Sequence, residues 1–426
     1  MSTACSGAGS SSAKAATASR VWSPCVNRRP KTPRLRRPDP VALQLSWCAS
    51  LRTPSFPAAG YEALRQRVAG STPFNHLGWL RAAEAALQPG QQLKILLGHL
   101  DGRLCLCLPL VRERQAAGPL NVPVVRHLGH PLSDRIALLL DLPAHHATQV
   151  LKTIRKHLPH ALLQLSEVVQ GDNEDWLRQW AAASSTFERR LSCRVPVHRI
   201  SEADRQEVSG DPRYKLRRAR KRIAACGAQV RRVVADRHNI TALLDAISAV
   251  EAASWKGDDD VGIFSGSQRR EWMYQAFTAL AGEGLVCLVL LELDGRCISY
   301  RLALLERGRI YDYNLAFVPE QRELGSGRVL LEEWIHWGLE EGWSWVDASR
   351  VSLENSSHQL HERQTGQVEQ WRLSSYSWRP DGIALGLALR CWRWLKPRLR
   401  KAHSAATVTP NPTQERPDAI PGHSQR

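Results

Sequence analysis

Residues 285–305, LVCLVLLELDGRCISYRLALL, read as two apolar strands joined at Leu293-Asp294-Gly295-Arg296. Asp-Gly between apolar runs predicts a two-residue hairpin, because the favoured turn needs positive φ at both central residues. The same phrase stands earlier, in residues 93–111, LKILLGHLDGRLCLCLPLV, with its turn at Leu100-Asp101-Gly102-Arg103. Two copies of one hairpin predict two related halves. After the first come a β-type stretch over 124–142, a helix over 144–157 and a strand over 161–167. After the second come a strand over 309–317, a helix over 327–341 and a strand over 344–348. This order predicts an α/β fold of two tandem halves, 41–195 and 196–400, each a mixed β-sheet flanked by helices.

A chain of 426 residues exceeds what one hydrophobic core usually serves, so two compact domains are expected. With 43% hydrophobic and 23% charged residues, the composition excludes a fibrous or wholly disordered protein. The net charge of +17 is uneven. Residues 1–40 hold eight Lys/Arg against Asp39 alone, and residues 390–402 hold six more. A uniformly basic nucleic-acid binder is thereby excluded, and no DNA partner is expected. Residues 1–40, Ser/Ala-rich and then Arg/Pro-rich, predict a disordered basic tail, and so does the proline-rich segment 403–426. An organellar transit peptide shares the composition of the first segment. The ten cysteines are scattered with no CxxC pair, which predicts a reduced, cytoplasmic setting and no metal site. No apolar run reaches the ~18 residues of a membrane span, and no apolar block follows the N-terminal charges.

Two helices are predicted before the second hairpin. Residues 211–226 carry Arg213, Lys215, Arg217, Arg218, Arg220, Lys221 and Arg222 on a mostly solvated surface, with Gly227 as a stop. Residues 240–255 place Leu243, Leu244, Ile247 and Val250 at the spacing of an amphipathic helix laid on a sheet. It ends at Trp255-Lys256, which read either as a helix end packed in the core or as the wall and ammonium of an acceptor pocket. Arg322-Glu323-Leu324-Gly325-Ser326-Gly327 lies between a predicted strand and a predicted helix. Glycines there permit a tight turn, and the unsatisfied amides opening the helix at Ser326 to Val329, Gly327 and Arg328 among them, suit a pyrophosphate. No Gly-Lys-Ser/Thr follows and no GxGxxG is present, so neither a Walker loop nor a dinucleotide fingerprint is implied.

The pattern of Arg322, Gly325 and Gly327 resembles the acyl-CoA pyrophosphate loop of the GNAT acyltransferase superfamily. More closely, the chain resembles CelD-like acyltransferases of cellulose and exopolysaccharide loci, relatives of the FemAB aminoacyl transferases, which contain two GNAT-like halves. The basic helix over 214–222, Ser254-Trp255-Lys256, Asp294-Gly295, the segment 74–79 and Leu128-Gly129-His130-Pro131 carry the likeness, over about residues 41–395. It implies that the second half holds acetyl-CoA or another acyl-CoA, while the first lacks the cofactor loop. It implies an amine acceptor: a sugar, an amino acid, or a glycan or peptide precursor of the envelope. Backbone of Asn314, Leu315, Ala316 and Phe317 would meet the thioester oxygen. Asp312 or Asp347 would be the base and Tyr313 or Tyr376 the thiolate acid. Trp255 and Lys256 would bind acceptor. The family's aromatic-Lys pair is missing from residues 360–366, where Arg363 is the available substitute. Two alternatives go with this reading: aminoacyl transfer from charged tRNA, as in FemAB, and a non-catalytic scaffold of a polysaccharide-synthesis assembly.

Residues 382–401, GIALGLALRCWRWLKPRLRK, predict a terminal helix docked by its apolar half. Their alternative reading is peripheral contact with an anionic inner membrane through 383–401.

Overall fold

The computed structural model describes residues 42–117, 120–169, 174–206, 208–258, 261–351 and 358–406. The tail expected over 1–40 lies outside the described residues, as do residues 407–426 of the tail expected over 403–426, whereas residues 403–406 of that expected tail continue the last helix instead.

The first half runs β1 (Gln44–Cys48), α1 (Ala58–Arg67), α2 (Leu77–Ala85), β2 (Gln92–Leu100), β3 (Arg103–Ala117) and β4 (Leu120–His127). It continues through β5 (Leu139–Leu140), α3 (Ala147–His157), β6 (Leu162–Val169), α4 (Glu174–Ala182) and β7 (Thr186–Arg199). The second half runs α5 (Gly210–Ala225), β8 (Gln229–Val234), α6 (Ile240–Ala252), α7 (Trp255–Asp258), α8 (Gly266–Ala281) and β9 (Val286–Leu293). It ends with β10 (Arg296–Glu306), β11 (Arg309–Phe317), α9 (Ser326–Glu341), β12 (Trp345–Asp347), β13 (Gly366–Tyr376) and α10 (Pro380–Ala406). Both hairpins form as read: Asp101 and Gly102, like Asp294 and Gly295, take positive φ between paired strands.

The halves do not fold as separate bodies. Their strands make one sheet in the order β1-β2-β3-β4-β6-β13-β7-β12-β11-β10-β9-β8, with β5 pairing β3. Read inward from either edge, the order is the same, and each half ends by passing its last strand to the other. β7 lies beside β12, β13 lies beside β6, and the two exchanged strands pair along their length. The 195/196 division therefore falls inside β7, not in a linker. On one face α1, α2, α6 and α8 share a single core drawn from both halves, in which Trp79 and Tyr313 touch each other and both Phe74 and Phe277 ring to ring. Gly78 of α2 permits this, since a Cβ there would come within 2.9 Å of Ala279 on α8. On the other face α3 and α4 cover the first half, and α5 and α9 cover the second.

The stretch 124–142, expected as β throughout, breaks after His127. Gly129 takes φ +96° with Ser133 Oγ in the space a side chain would fill, and the chain turns back. Only β5 and a single parallel bridge from Ile136 to Val168 remain extended. The returning segment carries Arg135 across to the second half, where it grips Asp347 at 2.5 and 2.8 Å; the two side chains are 5% and 6% exposed. Removing one member would leave the other charge buried and unpaired, at a cost of about 3–5 kcal/mol. Arg135→Ala and Asp347→Ala should each lose that much stability in urea unfolding, and the apolar pair Arg135→Met with Asp347→Leu should recover most of it. Single-variant losses below about 1 kcal/mol, the scale of a surface pair, would show that this pair does not clamp the halves.

Candidate active site

The second half opens where β11 and β12 part. The parallel strands pair at Arg309↔Trp345, Ile310↔Val346 and Tyr311↔Asp347, and β12 ends there. β11 continues to Phe317 with β10 on one side and a cleft on the other. Tyr313 is the extra residue of a bulge, because Leu302 faces Asn314 while Ala303 faces Asp312. A bulge breaks the alternation of faces. Tyr313 and Asn314 consequently both reach the α6–α8 side, at Met273 and Glu251, while Asp312 reaches Arg301. The cleft has a volume of about 360 Å³ and is lined by β11 from Asp312 onward, by Trp255 and Lys256, and by Ala348, Arg350, His358 and Gln359.

On one side of the cleft stands the start of α9. Gly325 takes φ +66° at its N-cap, and a Cβ there would lie 3.4 Å from Ala219 of α5. A Cβ on Gly327 would lie 3.3 Å from Gln359. Arg301, wholly buried, ties this corner together. It donates to the Gly327 carbonyl at 3.1 and 3.0 Å and to Gln359 Oε1 at 2.6 Å, and it pairs with Asp312. Burial works against the charge on Asp312, but the Arg301 guanidinium and His358 outweigh it and hold the carboxyl below its usual range. Ser326 is buried, its hydroxyl donating to Ser299 Oγ at 2.8 Å. Gly325 and Gly327 are half-exposed, and Arg322 stands exposed beside them. Glycine backbone, a helix start without a side-chain cap and a neighbouring guanidinium fit a pyrophosphate group.

On the α6–α8 side lies a polar chain. Lys256 Nζ donates to Asn314 Oδ1, and Asn314 Nδ2 donates to Glu251 Oε2 at 2.6 Å and to the Tyr300 hydroxyl at 2.9 Å. Glu251 also accepts from the Phe264 amide at 2.8 Å. Burial lowers the Lys256 pKa, opposed by the carboxylates of Glu251, Asp134 and Asp312. Trp255 beside it is exposed, 56%, and lines the cleft.

The first half supplies a further group. The Tyr313 hydroxyl donates to the Leu132 carbonyl at 2.8 Å and Arg135 holds Asp347, so residues 132–135 straddle the point where β11 and β12 separate. Asp134 lies between those anchors, half-buried. Burial pushes its carboxyl up to about 7, against the pull of Arg350, Ser349 and Arg135 and with a further push from Glu167.

Several predicted roles do not fit these positions. Asp312 has no exposed side-chain surface and anchors Arg301 instead of facing an acceptor. Asp347 is locked to Arg135 and to the Ser349 amide, so it is not a cleft base. The Tyr313 hydroxyl is engaged in the shared core, where burial pushes its pKa far above the usual value. Tyr376 packs at the far end of β13 with Val122, Val124, Ala161 and Leu162, away from the cleft. Arg363 pairs with Glu332 and Asp204 behind α9. Arg328 is bound by Glu362 at 3.0 and 2.7 Å, which takes its charge away from the loop. Leu315, Ala316 and Phe317 line the cleft. Among the described residues no cluster of His, Cys, Asp and Glu could hold a metal ion.

Arg301 had a visible signal, a lone charge inside the apolar run 298–305. Asp134 had none, because only the fold of the other half brings it here. The equivalent slot in the first half is closed by its own chain. β4 and β6 pair at Val124↔Leu162, Val125↔Leu163 and Arg126↔Gln164, and Ile136 then crosses to β6, its amide donating to the Glu167 carbonyl at 2.9 Å.

The family model for the acetyltransferase (GNAT) domain matches residues 210–354, from the start of α5 to just past β12. No curated protein matches the chain significantly. Among solved structures, FemX is similar at 12% identity and TM-score 0.48, over 73% of this chain and 95% of that one. L-PGS from Bacillus licheniformis is similar at 13% identity and TM-score 0.47, over 78% and 96%. A tandem GNAT protein from the clavulanic acid biosynthesis pathway is similar at 14% identity and TM-score 0.43, over 79% and 98%. The matched segment contains the bulge, the glycine loop, the basic helix and most of the cleft lining, while His358 and Gln359 lie beyond it. Residues 210–354 match the acetyltransferase (GNAT) domain, a fold that generally takes an acyl-CoA co-substrate, and the chain is an acyltransferase.

Proposed function

We propose that the chain is an acyl-CoA-dependent N-acyltransferase that acylates an amine of a sugar, an amino acid or a precursor of envelope or exopolysaccharide. The observation that carries this reading is the cleft left by the early end of β12, open beside the glycine start of α9. Acetyl-CoA or a longer acyl-CoA lies along it, its pyrophosphate at the amides of Ser326 and Gly327 with Arg322 alongside, since the Gly325 and Arg328 amides already donate to the Arg322 and Gly325 carbonyls. Its thioester carbonyl meets the backbone of Asn314 to Phe317, where an amide stabilises the developing oxyanion. The amine attacks directly: a C–N bond forms, the C–S bond breaks, and the amine proton passes to Asp134. Solvent protonates the departing thiolate, since the Tyr313 and Tyr376 hydroxyls are held elsewhere. Lys256, fixed by Asn314, pairs with an anionic group of the acceptor, and Trp255 walls it. The likeness to CelD-like enzymes favours a polysaccharide-linked acceptor.

One observation favours aminoacyl transfer from charged tRNA as a second reading. Arg218 and Lys221 are exposed on α5, the helix whose Ala219 abuts Gly325, so a polyanion larger than CoA would find charge next to the loop. Affinity for tRNA would fall steeply with salt, while CoA binding would need no RNA.

Calorimetric titration with CoA should show binding to the wild type and its loss in Gly327→Trp at an unchanged unfolding midpoint; equal affinity for both would remove the phosphate from the α9 start. Thiol release from acetyl-CoA should rise with pH through about 7, as Asp134 loses its proton. Asp134→Asn should flatten that rise and cut turnover about 10²–10⁴-fold. Tyr313→Phe should leave turnover within about threefold while costing about 1 kcal/mol of stability through the lost hydrogen bond. A pH profile unmoved by Asp134→Asn would place the base elsewhere.

A further inference from the structure

The sides of α10 are reversed relative to a helix docked by its large apolar residues. Its buried or half-buried positions are Asp381, Gly382, Leu385, Gly386 and Leu389. The two glycines bring it close to the sheet: a Cβ on Gly382 would meet the Ser377 and Ala161 carbonyl oxygens at 2.6 and 2.9 Å, and one on Gly386 would meet Thr186 at 3.0 Å. Turned away from the protein are Ile383, Ala384, Leu387, Ala388, Cys391, Trp394 and Leu395, all exposed, with Leu387 at 52%. At 3.6 residues per turn these positions form one uncharged stripe. Arg390 stands at one margin and Trp392, 54% exposed, at the other. Arg393, between the margins on the protein side, pairs with Glu188. The terminal docking expected from the sequence thus involves only the glycine side and two leucines. Ile383, Leu387 and Leu395 of the outer stripe are 37%, 52% and 41% exposed.

We infer that this outer stripe of α10 lies in the interfacial plane of an anionic lipid bilayer, with Ile383, Leu387 and Leu395 among the acyl chains and Arg390 and Trp392 at the headgroups. An uncharged stripe bordered by a cation and an indole is the pattern of a helix lying in the interface rather than crossing it. No helix of the described residues is long and apolar enough to cross a membrane. The sequence beyond Lys396 adds Arg398, Arg400 and Lys401, so the same end of the chain is drawn to anionic headgroups.

Co-sedimentation of the full chain with phosphatidylcholine vesicles, with and without phosphatidylglycerol, tests this. The wild type should bind the anionic vesicles, shift its tryptophan emission to the blue, and release as salt rises. Ile383→Glu with Leu387→Glu should weaken binding at least about tenfold at an unchanged unfolding midpoint, since both side chains are exposed. Leu387→Ser with Leu395→Ser is the milder pair should the first misfold. Binding retained in a folded double variant, or no binding of the wild type to either vesicle, would overturn the inference. So would a wild-type dimer that the same variants split into monomers.

Discussion

The parallel pairing of β11 with β12 stops at Tyr311↔Asp347, and the site depends on that stop. Had β12 continued, its ladder would have satisfied β11 to Phe317 and left no room for a ligand. The bulge at Tyr313 falls just past the stop and turns two consecutive side chains to one face. One side chain becomes a core strut, and the other holds Lys256. Arg301 fixes the opposite face by joining Asp312, the Gly327 carbonyl and Gln359, so the glycine loop, β11 and the turn that carries Gln359 are tied at one point.

The exchange of last strands explains why one half can serve the other. β13 and β7 make the two halves one sheet, and the shared core beneath α2 and α8 leaves no surface along which they could hinge apart. Within that frame the first half has given up its own slot. The chain that closes it, residues 132–137, also delivers Asp134 and Arg135 to the parting strands of the second half. One segment thus closes the slot of its own half and braces the parting strands of the other.

What could be read from the sequence was local. Asp-Gly turns, the apolar strand runs, the helix over 240–255 and the glycine-to-helix junction at Gly325 each follow from neighbouring residues, and each formed within a few positions of its reading. Partners were not legible. Strand alternation allows Asp347 a place on a face but does not show that an arginine from 212 positions away occupies that face first. It misplaces Tyr313 as well, because a bulge shifts the alternation by one residue and leaves no compositional trace. Asp134 lies in a half whose loop pattern argued against chemistry. In α10 the composition was legible and the orientation was not, since only tertiary contact shows that glycines, not tryptophans, face the sheet.

Hydrogen exchange with and without CoA measures the central relation most directly. On addition of CoA, amides of Leu315 to Phe317 and of Gly325 to Val329 should become protected together, while the equivalent first-half amides, from Leu128 to Ile136, keep their rates. Protection confined to the first half, or a glycine loop that exchanges unchanged while CoA is bound, would contradict the account.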